Sequence, residues 1–62
     1  MMIEVNGKMI MMQKAADVAS LLSGLGLSRE ETLVKINGKL ASDGRKIRQN
    51  DQVKVIRVIF GG

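Results

Sequence analysis

The sequence contains no cysteine, histidine, proline, tryptophan or tyrosine, and only one phenylalanine. Each absence removes a class of chemistry. Without cysteine there is no disulfide to staple a small fold, and no thiolate to serve as nucleophile or metal ligand. Without histidine the common nucleophile–base pairs and imidazole metal sites are gone. A single aromatic ring gives little for a run of bases to stack on. The six acidic residues are scattered, so a self-contained enzyme is not expected and neither is a bound metal. No apolar stretch approaches the roughly 20 residues of a membrane span. No basic-then-apolar leader with a small-residue cleavage site opens the chain. These absences suggest a cytoplasmic protein with no membrane association.

What is present fits one small domain. The chain has 62 residues, 45% of them apolar, an ordinary globular fraction that argues against disorder. A domain of this size buries only about 60% of the surface its unfolded chain exposes, so its stability is marginal. The net charge of +4 is unevenly placed. Residues 1–31 carry three basic and four acidic side chains, whereas residues 32–62 carry seven basic and two acidic ones. A basic C-terminal half suits an acidic protein partner or nucleic acid. The alternative is a plain solvated surface.

The local patterns give an order of elements. Ile3 and Val5 alternate with Met2 and Glu4, as in a half-buried strand. Asn6-Gly7 is a strong hairpin signal, because a type I′ turn needs positive φ at both central residues. The return strand is expected over 8–12. Asp17 caps a helix whose apolar positions Val18, Leu21, Leu22 and Leu25 share one face, with Gly26 as its stop. Ser28 to Glu31 reads as a capping box on a short turn. A strand over 33–36, a second Asn-Gly turn at Asn37-Gly38 and a return over 39–41 follow. Asp43-Gly44 precedes a short strand around Ile47, and Asn50-Asp51 turns the chain into a last strand over 52–60. One helix can cover only one face of a mixed sheet, which gives a two-layer α+β domain. The expected core is Ile3, Val5, Met12, Val18, Leu21, Leu22, Leu25, Val34, Ile36, Ile47, Val53 and Val55. All five methionines fall within the first 12 positions and read as adaptable core filler.

The sequence closes on Gly61-Gly62, directly after the apolar run from Val53 to Phe60. By chance two terminal glycines occur in roughly one chain in two hundred. A carboxylate behind two residues without Cβ can be threaded down a channel too narrow for other residues. With Val53 and Val55 facing inward, Lys54, Ile56, Val58 and Phe60 alternate outward. Exposed apolar residues beside the tail would mark an interaction site, and Arg57 with the neighbouring basic residues would steer an acidic partner.

These features together resemble the small ubiquitin-like sulfur carriers, the ThiS/MoaD group. The resemblance runs through Ile3-Glu4-Val5-Asn6-Gly7-Lys8, Asp17-Val18-Ala19-Ser20-Leu21-Leu22 and Leu25-Gly26-Leu27. It continues through Val34-Lys35-Ile36-Asn37-Gly38-Lys39, Asn50-Asp51-Gln52-Val53 and Gly61-Gly62. The specific signal is the order of these segments and the place of the diglycine. Length and the lack of proline are closer to the ThiS branch than to MoaD. Asn50 stands where the family more often has glycine, and Asp17 where threonine is more usual.

The resemblance implies a β-grasp (ubiquitin-like) fold, with a mixed sheet of four to five strands on one main helix. It divides the chain into a domain over 1–60 and a flexible tail over 61–62. It implies that an adenylating enzyme of the ThiF/MoeB type uses Mg-ATP to activate Gly62, with Gly61 allowing access. Sulfur from a persulfide donor would then leave a thiocarboxylate for a synthase such as thiazole synthase. This chain would bind no cofactor itself, would be monomeric alone and would present Lys54, Ile56, Arg57, Val58 and Phe60 to partners. Carriers for molybdopterin or tRNA thiolation, and a ubiquitin-like modifier, share the same first step. A further rival is an S4-type RNA-binding module, similar over Val34–Lys39 and Asn50–Val53, but this chain lacks its two leading helices.

Overall fold

A computed structural model describes residues 1–58; Phe60, Gly61 and Gly62, and the domain boundary at residue 60, lie outside the described residues. Strands β1 (Met2–Val5) and β2 (Lys8–Met11) form the first hairpin, and helix α1 spans Val18–Leu25. A 3₁₀ turn at Arg29–Glu31 leads into β3 (Thr32–Ile36), β4 (Lys39–Leu40) and β5 (Val53–Arg57). The sheet order is β2-β1-β5-β3-β4. The pair β1–β5 is parallel, while the other three pairs are antiparallel. This is the β-grasp arrangement, with the last strand in the middle of the sheet.

Both hairpins turn as their sequences dictate. Asn6 and Gly7 have φ of 49° and 86°, and Asn37 and Gly38 have 55° and 83°. These are the two positive-φ positions that a type I′ turn demands.

The helix ends are satisfied by named groups. At the N-terminus, Val18 N and Ala19 N donate to the carbonyls of Arg45 and Asp43, and Ser20 N donates to Asp17 Oδ1 at 2.8 Å. At the C-terminus, Gly26 takes φ 70°, while Gly26 N and Leu27 N donate to Ser23 O and Leu22 O. That pairing is a Schellman closure, which glycine adopts without a Cβ penalty.

The core lies between α1 and one sheet face. Ile3, Val18, Leu21, Leu22, Val34, Ile36, Ile47, Val53 and Val55 are buried as expected, and Val5, Met12 and Leu25 are half-buried against them. Ala15 and Thr32 are buried as well; a single small residue before a helix and a β-branched polar residue give no apolar period to read.

Four expectations change. Met2, Met9 and Met11 are 48%, 59% and 70% exposed rather than core filler. The two-residue loop at 6–7 pairs Glu4 with Met9 and Met2 with Met11. With Ile3 inside, strand alternation must put those methionines outside. Ser28 makes no side-chain cap; its carbonyl instead accepts from Glu31 N and Thr32 Oγ1. The segment around Ile47 forms one bridge, Asp17 with Lys46, instead of a strand. It is held by Ile47 N donating to Ala16 O at 3.0 Å. The return strands stop one residue short, at Met11 and Leu40.

Candidate docking face and tail exit

The sheet face turned away from α1 is read most simply as rungs. One rung crosses all five strands in the order Met9, Glu4, Lys54, Lys35, Leu40. Lys54 Nζ lies 3.3 Å from Glu4 Oε2. On its other side Lys54 faces Lys35 directly across the antiparallel pair. Two like charges opposite each other in a sheet are destabilising. The next rung toward the end of β5 pairs Ile56 with Leu33, the latter 42% exposed. On the far side of the central rung lies the Met2–Met11 pair. The outer face therefore has two adjacent lysines set among exposed methionine and leucine side chains.

The two ends of β5 are gripped by the two hairpin turns. At its start, Asn37 N donates to Gln52 O at 2.8 Å, and Gln52 N donates back to Asn37 Oδ1 at 2.9 Å. Asn37 Nδ2 also reaches Asp51 Oδ1 at 2.9 Å. Asp51 further accepts from Arg48 N at 2.8 Å and Arg45 Nη1 at 3.0 Å. The Arg48 amide, then Asn37 and Arg45, hold the Asp51 carboxyl at about 2, below its ordinary range. At the far end, Asn6 N donates to Val55 O at 3.0 Å, and Arg57 N donates to Asn6 Oδ1 at 2.8 Å. Val58 N donates to Glu31 O at 2.7 Å on the opposite side of the strand. Among the described residues there is no His, Cys, Asp and Glu cluster suited to a metal ion.

The ThiS family model matches residues 2–62. The chain belongs to the ThiS family. A solved structure, the thiamine biosynthesis protein ThiS from Geobacter metallireducens, is similar to it. The two chains are 29% identical, with 100% of each covered and a TM-score of 0.64. That likeness fits the β-grasp topology found here.

Within this ThiS-family fold the expected site residues that are described fall on the two sides of the last strand. Lys54 is exposed on the outer face, as alternation requires, while Ile56 and Val58 are half-buried rather than fully exposed. Arg57 shares the parity of Val53 and Val55 and so falls on the opposite side of the strand from Lys54. There its guanidinium lies 3.6 Å from Glu31, both side chains being well exposed. Phe60, Gly61 and Gly62 lie outside the described residues. Sequence reasoning missed Met2, Met9, Met11, Leu33, Lys35 and Leu40 as members of this face. For the three methionines the signal was available in the hairpin register. For Lys35 it required knowing that β5 pairs with β3. Among the described residues no helix is long and apolar enough to cross a membrane.

Proposed function

We propose that this chain is a sulfur carrier for the thiazole moiety of thiamine, a co-substrate of other enzymes and not itself a catalyst. The observation that carries this reading is the ThiS family match along residues 2–62, joined to a fold in which the strand leading to Gly61-Gly62 occupies the sheet centre. A free carboxylate is ionised at neutral pH and is a poor electrophile. In the proposed sequence the Gly62 carboxylate attacks the α-phosphorus of Mg-ATP held by a ThiF/MoeB-type enzyme, and pyrophosphate leaves. The terminal sulfur of a donor persulfide then attacks the acyl carbon and AMP leaves, giving an acyl disulfide. A second thiol attacks the disulfide. It takes the donor sulfur into a new disulfide and leaves the thiocarboxylate on Gly62. That thiocarboxylate is the nucleophilic sulfur delivered to the thiazole-forming synthase.

The outer face is the proposed docking surface for the adenylating enzyme. Leu33, Met2, Met9 and Met11 supply exposed apolar area of the kind found at interaction sites. Methionine lets such a surface repack against a partner. The Lys35–Lys54 opposition favours a partner with a carboxylate over that rung: Glu4 flanks Lys54 alone, and an anion between the two lysines relieves their repulsion further. The proposed setting of adenylation and sulfur transfer is the cytoplasm.

The test is ATP–pyrophosphate exchange by the ThiF-type enzyme of the same organism, with the native chain as substrate. Exchange that depends on the chain, and is abolished when one residue is added after Gly62, supports the carrier. No exchange with the native chain overturns it. Lysine-linked products would instead indicate a modifier, and salt-sensitive RNA binding by the chain alone would indicate the RNA module.

A further inference from the structure

We infer that Asn6 is a positioning residue that fixes where the C-terminal tail leaves the sheet; its consequence for loading rests on the carrier reading above. Strands β1 and β5 run parallel, with Glu4 opposite Lys54 and Val5 opposite Val55. In a parallel ladder, a residue whose N–H donates to position j also accepts, through its own carbonyl, from position j+2. Asn6 N donates to Val55 O, so a continued ladder would have the Asn6 backbone carbonyl accept from Arg57 N. The chain cannot continue that way, because Asn6 turns into the hairpin with φ 49°. The side chain takes over: Asn6 Oδ1 accepts from Arg57 N at 2.8 Å, across a sequence separation of 51 residues. The ladder is thereby extended one rung beyond the last strand residue of β1.

The neighbouring amide is held from the other side, where Val58 N donates to Glu31 O. Successive N–H groups of the last described residues are thus fixed alternately by two different loops. Gly62 stands four residues beyond Val58, and a fully extended chain advances about 3.3–3.6 Å per residue. Under the carrier reading, Gly62 reaches a buried reaction centre over that span only from a defined starting point. If residues 56–58 fray, the partner must reorder them on binding and offset the backbone entropy lost at each residue.

The second Asn-Gly turn supplies a matched control. Asn37 has nearly the same backbone conformation, φ 55°, and its side chain grips the start of β5 through Gln52 N and Asp51. Glycine accepts positive φ in either turn, so Asn6→Gly and Asn37→Gly each delete a side-chain grip while keeping the turn. Asn6→Asp keeps an acceptor oxygen.

The experiment compares the full-length wild type, Asn6→Gly, Asn6→Asp and Asn37→Gly, under conditions where melts show all four folded. Amide exchange at Arg57 and ¹⁵N relaxation over residues 57–62 are read first, then ATP–pyrophosphate exchange with the ThiF-type enzyme. The expected result is lost Arg57 protection and increased tail motion in Asn6→Gly alone, with restoration in Asn6→Asp. For loading, kcat/KM falls about two- to tenfold in Asn6→Gly, the range set by one net hydrogen bond, and stays near wild type in Asn37→Gly. Equal protection of Arg57 in Asn6→Gly and wild type overturns the inference. So does an equal loss of loading in the two glycine variants, which would mark a general stability effect. If the wild type itself supports no exchange, the carrier reading fails while Arg57 protection still decides the clamp.

Discussion

Reversing the charge at Lys35 should make the protein more stable and a worse substrate. Lys35 and Lys54 stand directly opposite across β3 and β5, where Cβ atoms are about 4.5–5.5 Å apart. On its other flank Lys54 already meets Glu4 at 3.3 Å. Lys35→Glu replaces a repulsion with an attraction and leaves a Glu–Lys–Glu row. Cross-strand charge pairs are worth about 0.2–1 kcal/mol, and exposed pairs fall at the low end. Because Lys54 then divides its attraction between two carboxylates, a net gain of about 0.5 kcal/mol is reasonable. For a domain of this size that raises Tm by roughly 2–4 °C. Urea melts at low and high salt are the assay, and the gain should shrink with salt as screening shortens the reach of the charges. In parallel, kcat/KM for adenylation should fall about three- to tenfold at low salt, since the variant repels the acidic partner surface. A variant that melts below wild type refutes the reading of the rung. One that melts higher but is adenylated at the wild-type rate refutes its role in docking.

Two further outcomes test the fold. Gly26 closes α1 at φ 70° with nothing within 4 Å of an added Cβ, so Gly26→Ala should lose about 1 kcal/mol from backbone conformation alone. Gly44→Ala, equally unhindered but without a positive φ, should be neutral or gain up to about 1 kcal/mol; denaturant melts of both variants check the contrast. The Asp51 carboxyl is held at about 2 in the folded protein, below its ordinary value. Its contribution is therefore complete above that ordinary value and is lost as pH falls toward about 2. Asp51→Asn should lower the urea midpoint at neutral pH and converge with wild type at the acid end. A constant gap across that range would contradict the assignment.

How much was legible in the sequence depended on how local each signal is. The Asn6-Gly7 and Asn37-Gly38 turns, the Asp17 cap and the Gly26 stop are set by backbone chemistry within a few residues, and all four appear as read. The apolar alternation of Val53 and Val55 and the helical spacing of Val18, Leu21 and Leu22 located most of the core. The methionines depart from expectation because register, not composition, decides which face a strand residue takes. A two-residue loop fixes Met2, Met9 and Met11 on the face opposite Ile3. Long-range partners were not legible. No local pattern says that Asn6 reaches Arg57, that Asp43 and Arg45 receive the helix N–H groups, or that Lys35 faces Lys54. These depend on strand order. The half-burial of Ile56 likewise follows from its place opposite Leu33 in a central strand.

Intact mass decides whether the α-carboxylate of Gly62 is the reacting group. The native chain is incubated with the ThiF-type enzyme, Mg-ATP, a persulfide donor and a thiol reductant. The expected result is replacement of one oxygen by one sulfur, located to Gly62 by fragmentation and dependent on ATP. An unchanged mass, with an enzyme shown to be active on its own partner, or sulfur found anywhere other than Gly62, would contradict it.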